Sequence, residues 1–261
     1  MAVTNIRHES GDFTVLCGRE TFLAHRCILA TGSPAWPQCG ADDSGLRFAR
    51  ELGHRIVPPR PVLAPFIMPQ NWLLTDLPGI SLTVRITCDL PDAPTFTDSL
   101  LFTHKGISGP AALQMSCWWR KGTALVIDFL PDQDVVALLD TSSGKATPAS
   151  VLSRHFPERF LTALLDPAVA KRRTAELSRT QRTAIATAVH RHTAIPLRTE
   201  GLSKAEAAAG GVDVAGIDPF TMQSRLVPGL FFCGEVMDIT GRLGGYNLHW
   251  AWASGTLAGL E

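Results

Sequence analysis

The chain has 261 residues, 45% of them hydrophobic and 18% charged, which supplies a substantial core and excludes general disorder. Lys plus Arg and Asp plus Glu both number 24, so no net field draws nucleic acid or an anionic membrane, and a small-molecule substrate without either partner is expected. Cysteines at 17, 27, 39, 88, 117 and 233 form no C-x-x-C pair and have no histidine at finger spacing. No metal site is therefore expected, and isolated thiols without a signal peptide or an apolar run of about 18 residues point to a cytoplasmic protein.

Residues 12–23 predict two short strands joined by a turn at Gly18-Arg19. Cys27-Ile28-Leu29-Ala30 is a continuous apolar run that stops at Thr31-Gly32, the pattern of a strand buried on both faces of a parallel sheet. Over residues 42–52, Leu46, Ala49 and Leu52 share one helical face, with Asp43 or Ser44 as cap and Gly53 as terminator. Five prolines within residues 58–69 mark a change of architecture. Strands are predicted over 80–88, 96–103 and 124–130, and a small helix begins at Ser108-Gly109-Pro110, where proline suits the first turn. Residues from about 148 to 193 read as short helices broken near Pro157 and Pro167. Leu230-Phe231-Phe232-Cys233-Gly234 is a second strand of the buried parallel type. Residues 248–260 read as a helix whose Ala251, Gly255 and Ala258 or Gly259 form a small-residue stripe suited to close packing.

Two apolar strands thus end in small residues about 200 positions apart, at Ala30-Thr31-Gly32 and at Cys233-Gly234-Glu235. Ligands of open α/β sheets bind beyond such carboxyl ends. A carboxylate there accepts hydrogen bonds from sugar or ribityl hydroxyls, which suits Glu235, and the glycine before it admits a ligand to the backbone. Gly244 and Gly245, with Tyr246 and Asn247, stand directly before the last helix, where exposed N–H groups and the helix dipole favour an anionic oxygen or an electron-rich ring. Taken singly, a Gly-Gly-Tyr-Asn turn before a helix is more often a loop-and-cap device than a ligand site.

Taken together, these segments resemble a known family. Ala30-Thr31-Gly32 resembles the "ATG" segment of two-dinucleotide-fold flavoproteins, and residues 226–235 resemble their second FAD segment, with Glu235 where Asp is usual. More narrowly, Cys27 to Gly32, Leu52-Gly53-His54, Pro59-Arg60-Pro61, residues 101–110, Ala209-Gly210-Gly211-Val212 and Gly244-Gly245-Tyr246-Asn247-Leu248-His249-Trp250-Ala251-Trp252 resemble the BaiN/YhiN-like family of NAD(P)/FAD-dependent oxidoreductases, in the family's order over nearly the whole chain. The resemblance implies an α/β fold: a FAD-binding Rossmann-like domain in 1–60 and 201–261, interrupted over 61–200 by a β-rich domain with a helical insertion. It also implies FAD as cofactor and NAD(P)H as a candidate electron donor. By carry-over, Thr31, Gly32 and Gly234 lie near the FAD, Glu235 reaches its ribityl chain, and Gly244, Gly245, Tyr246 and Asn247 approach the ring.

One departure is serious. Family members carry a strand, a G-x-G-x-x-G turn and a helix that cradle the pyrophosphate, and no such fingerprint occurs in these residues. The FAD domain is therefore expected to be incomplete here, as a truncated oxidoreductase completed by a missing segment, or as a remnant or subunit completed by a partner chain. A third reading is a nucleic-acid module built on residues 168–193, where six basic residues face only Glu176. Without interleaved aromatics, a solvated helical face is the better expectation. His104 and Lys105, beside the turn at 106–110, are weighed as proton carriers against the plainer role of a histidine satisfying turn backbone, and no catalytic residue is assigned. Trp118, Trp119, Trp250 and Trp252 are expected in the core.

Overall fold

In the computed structural model, which describes residues 2–260, the chain enters on a meander of three antiparallel strands, β1 (Val3–Glu9), β2 (Asp12–Cys17) and β3 (Glu20–Ala24). Ser10 and Gly11 take φ of 56° and 90°, a pair of positive angles that matches the twist of a tight hairpin, and Gly18 opens the next turn at φ 61°. The β2–β3 hairpin is the one the sequence predicts. β1 is an addition, masked by a polar run in which only Ile6 is buried.

After β4 (Cys27–Leu29) comes α1 (Ser44–Glu51), which buries Leu46, Phe48 and Ala49. Asp42 rather than Asp43 accepts the Ser44 N–H, at 2.9 Å, and Gly53 follows the helix at φ 93°. β5 (Ile56–Val62) carries Pro58, Pro59 and Pro61. Here the chain leaves a first compact unit, which ends at Leu63 and resumes at Gly201, and enters a second, Ala64–Glu200.

The second unit contains β6 (Phe66–Ile67), β7 (Ser81–Cys88), β8 (Phe96–Phe102), β9 (Gly106–Ser108), α2 (Pro110–Ser116), β10 (Leu125–Asp128), α3 (Val135–Thr141), α4 (Pro148–Leu152), α5 (Glu158–Leu164), α6 (Pro167–Ala170), α7 (Arg179–His190), β11 (His192–Ala194) and β12 (Arg198–Thr199). Its seven strands form one sheet in the order β11-β10-β7-β8-β9-β6-β12. Along β7 the residues Val84, Ile86 and Cys88 point inward while Arg85 is exposed, the period-two alternation of a sheet covered on one face. Four buried rings, Phe66, Phe102, Phe129 and Phe160, anchor the core, with Phe129 and Phe160 edge to face at 4.9 Å. The short helices are interrupted near Pro157 and Pro167 as expected, each proline standing where the next helix begins, as the cap of α5 and in the first turn of α6, where the missing N–H costs nothing.

Back in the first unit, β13 (Ala207–Val212) pairs antiparallel with β5, β14 (Leu230–Phe232) pairs parallel with β4, and α8 (Tyr246–Leu260) closes the chain. The β5–β13 register shifts between Ala209 and Gly211. Gly210 sits at this bulge with φ 94°, where an added Cβ would lie 2.5 Å from the Pro58 carbonyl oxygen, and its N–H turns to Asp238 Oδ1 at 2.9 Å.

Several expectations need correction. β14 is buried throughout, but β4 is not covered on both faces: Ile28 is 45% exposed. Trp119 is buried, whereas Trp118 and Trp252 stand in solvent. Of the predicted small-residue stripe of α8, Ala258 is buried, together with Ser254, whereas an added Cβ on Gly255 or Gly259 would meet nothing within 4 Å. Among the described residues no helix is long and apolar enough to cross a membrane.

Candidate functional site

The parallel register places Leu230 opposite Cys27 and Phe232 opposite Leu29, so β4 and β14 finish side by side, and the Cys233 N–H bonds to the Leu29 carbonyl at 3.1 Å. Beyond these ends lies a cleft of about 410 Å³ lined by Ala30, Gly32, Glu206, Cys233, Gly234, Glu235, Asn247, Leu248 and Ala251. Segments 200 residues apart therefore meet at one place, the carboxyl edge where α/β sheets take ligands.

Glu235 is the chemical centre of this cleft. Its Oε2 accepts a hydrogen bond from the Ser33 hydroxyl at 3.0 Å, while Oε1 is buried and has no partner. Burial pushes its pKa above the usual carboxylate value, against the opposing pull of Ser33 and the Ala208 backbone. A buried acceptor without a donor is costly, and a ligand hydroxyl at this point would relieve it.

Gly234 is clamped from both sides. Its N–H donates to Ser254 Oγ at 2.9 Å and its carbonyl accepts from Trp250 Nε1 at 3.3 Å, so α8 is pinned to the end of β14. The residue needs to be glycine, since φ is 71° and an added Cβ would come within 3.4 Å of the Ala251 Cβ. The loop before α8 is closed by Asn247, whose Oδ1 accepts from the Gly241 N–H at 2.7 Å and whose Nδ2 donates to the Gly241 carbonyl at 3.3 Å.

Of the residues singled out from the sequence, Gly32, Gly234, Glu235 and Asn247 line this cleft. Thr31 does not: its side chain packs against Gly45, where an added Cβ would overlap Thr31 Oγ1. Gly244 and Gly245, at φ 115° and 88°, and the exposed Tyr246 form the open turn beside the cleft without lining it. Asn247 spends both ends of its amide on the loop rather than offering them to a ring. Ser33 and Glu206 escape the sequence reading. Ser33 has no local signal, because its role depends on the register that brings Glu235 beside it.

His104 is exposed, and the turn it was expected to satisfy is held by Thr103 Oγ1, which accepts from the Lys105 and Gly106 N–H groups at 3.3 and 3.1 Å. Lys105 pairs with Glu200 at 3.2 Å. His54 is buried and accepts from Ser224 Oγ at 2.8 Å, the serine oxygen in turn accepting from the Leu226 and Val227 N–H groups. That arrangement gives the Leu52-Gly53-His54 segment a packing role.

The family model described as "HI0933-like protein Rossmann domain" matches residues 1–261. Among curated relatives, a ribosomal RNA dihydrouridine synthase of Haemophilus influenzae is 38% identical over 239 residues, 90% of this chain and 59% of its own length. A protein of the same name from Escherichia coli K12 is 34% identical, covering 97% of this chain and 64% of its own length. A 3-dehydro-bile acid delta(4,6)-reductase of Clostridium scindens is 30% identical, covering 95% and 64%. The chain thus spans about three fifths of the length of the curated relatives it matches.

Proposed function

This chain belongs to the HI0933-like Rossmann-domain family, and from that premise we infer that it is the flavin-ring portion of an FAD-dependent oxidoreductase that reduces a carbon–carbon double bond conjugated to a carbonyl, with a uracil base in RNA as substrate. The observation that carries the flavin reading is Glu235 Oε1, buried and without a donor in a glycine-lined cleft beyond two parallel strands. Those residues fit the ribityl side of FAD. Glu235 would accept a ribityl hydroxyl, Gly32 and Gly234 would admit the ligand to the backbone, and Leu248 and Ala251 would offer it an apolar side.

The relatives' names share one chemistry. Dihydrouridine is uridine reduced across the double bond conjugated to its ring carbonyl, and a delta(4,6)-reductase of a 3-oxo steroid acts on double bonds conjugated to the 3-carbonyl. FAD held here and reduced by NAD(P)H would supply a hydride to such a carbon, with a proton added at its neighbour, so that the double bond gains two hydrogens. Two relatives, including the one at 38% identity, carry the RNA name, which favours RNA. A small enone is the second reading, favoured by the third relative and by the zero net charge. No G-x-G-x-x-G turn occurs in the sequence, so the pyrophosphate half of the cofactor is assigned to a further segment, in cis or on a partner chain.

The test is reconstitution. The chain is supplied with a glycine-rich segment from a relative, gel-filtered and assayed for bound FAD. NAD(P)H oxidation is then followed with a uridine-containing RNA transcript and with a steroid enone, and products are read by mass for the gain of two hydrogens. Reduction of the enone alone would reverse the substrate order, and no flavin on the completed protein would sink the whole reading.

A further inference from the structure

The formal charge of zero hides a strong asymmetry. Residues 141–191 hold nine Lys or Arg against three Asp or Glu, so this stretch of the second unit carries +6 and the rest of the chain −6. Lys145, Arg154, Lys171, Arg172 and Arg173 are all exposed. Among the described residues none of the five enters an ion pair, whereas Arg182 nearby is paired with Asp140.

Backbone bonds join the 144–146 and 173–175 segments, while Arg154 and Lys171 line two clefts that share Ser150 of α4. The Ala146 carbonyl accepts from the Thr174 N–H at 2.8 Å and the Gly144 carbonyl from the Ala175 N–H at 3.4 Å, which lays Lys145 beside Arg173. Arg154 shares with Ala146 and Ser150 a cleft of about 480 Å³ that no acidic side chain lines. Lys171 shares with Thr147 and Ala149 a second cleft of about 490 Å³, where Glu158 is the one acidic group. Unpaired like charges held this close repel one another, and a polyanion offsets that repulsion. No Phe, Tyr or Trp lines either cleft and His155 is the one ring in them, so the surface suits phosphates better than a run of stacked bases.

We propose that the α4 face, through Lys145, Arg154, Lys171, Arg172 and Arg173, docks the phosphate backbone of an RNA. The inference rests on the RNA reading of the substrate above and adds to it a division of labour: this surface grips any structured RNA without reading its sequence, and the choice of base is left to the flavin site.

The experiment measures anisotropy of a fluorescein-labelled RNA hairpin with the full chain, from about 50 to 200 mM salt. With five phosphate contacts wild type should lose nearly three powers of ten in affinity, about 2.7, over that range. Lys145→Glu, Arg154→Glu and Arg173→Glu should each lower the slope of log K on log salt by about one, and more steeply together. Circular dichroism checks the fold, and a Lys145→Gln, Arg154→Gln, Arg173→Gln variant replaces the triple reversal if that does not fold. Tight RNA binding with an unchanged slope in the variants overturns the docking surface but leaves the substrate reading intact. Preference for phosphatidylserine vesicles over the hairpin also overturns it. RNA bound through this face, with no dihydrouridine formed by the flavin-loaded, completed protein, would instead sink the substrate reading alone.

Discussion

The two units cover their apolar surface in different ways. Between Ala64 and Glu200 one seven-stranded sheet and its helices enclose a continuous core in which Phe66, Phe102, Ile107 and Phe160 are all but inaccessible. The other unit divides its strands among three small sheets and leaves Ile28 on β4 and Leu248, Trp252 and Leu260 on α8 in solvent, the last three more than 70% exposed. A parallel sheet with its helices is normally covered on both faces. The difference teaches that one large sheet with its helices encloses a continuous core, while strands divided among small sheets leave apolar residues of β4 and α8 in solvent.

The largest test of that contrast is cofactor retention. With only ribityl and ring-side contacts, FAD should bind the 261-residue chain several powers of ten more weakly than a form completed by the glycine-rich segment, each power being worth about 1.4 kcal/mol. The gel-filtered chain should be colourless, and stoichiometric FAD on it would erase the distinction between the units.

A pair of glycine substitutions probes packing next. At Gly106, φ is 154° and an added Cβ would lie 2.3 Å from the Phe66 carbonyl oxygen, so Gly106→Ala should cost about 3 kcal/mol or more in the second unit. On α8 the added Cβ of Gly255→Ala meets nothing, and the change should stabilise the helix by up to about 1 kcal/mol. Denaturant midpoints measure both, and equal costs would mean that α8 is as tightly packed as the sheet.

The third test uses pH. His192 accepts from Trp72 Nε1 at 3.2 Å, and burial takes its pKa from an ordinary 6.5 to about 4. A histidine depressed on folding contributes stability that is full above pH 6.5 and is lost as pH falls toward 4, on the order of 3 kcal/mol. The second unit should therefore loosen over that interval, followed by tryptophan fluorescence. His192→Gln, which retains an acceptor without titrating, should flatten the profile.

The smallest effect belongs to Glu235. Its pKa is raised on folding, so its contribution is present at low pH and lost as pH rises through the folded value. Glu235→Gln should slightly raise the thermal midpoint at pH 8, with the gain vanishing below about pH 4.5. A gain that persists in acid would assign it to packing rather than to the buried charge.

Much of the fold is legible in the sequence. The apolar runs at 27–29 and 230–232 announce parallel strands because each stops at small residues, and Gly234-Glu235 announces the site because a carboxylate at such an end has few structural uses. What was hidden depends on distance or on cover. Ser33 meets Glu235 and His54 meets Ser224 through registers that no local pattern encodes. Thr31 is drawn to Gly45 by a close approach invisible in composition. The exposure of Ile28 and Trp252 follows from what packs against them, which hydrophobicity alone does not state. Pro157 and Pro167 mark the breaks between the short helices because each stands where a new helix starts.

The prolines of β5 carry one more consequence, for assembly. Pro58, Pro59 and Pro61 have no N–H, so beyond its partner β13 this strand is a poor template for another. β14 is likewise occupied on its outer side, where the Phe232 N–H bonds to Met222 and the Ser224 N–H to Leu230. Among the described residues, the free side of β4 pairs with no strand. Strand addition in the parallel sheet is thus steered to a single address, Cys27 to Leu29. Those three residues are therefore where mistaken self-templating would begin.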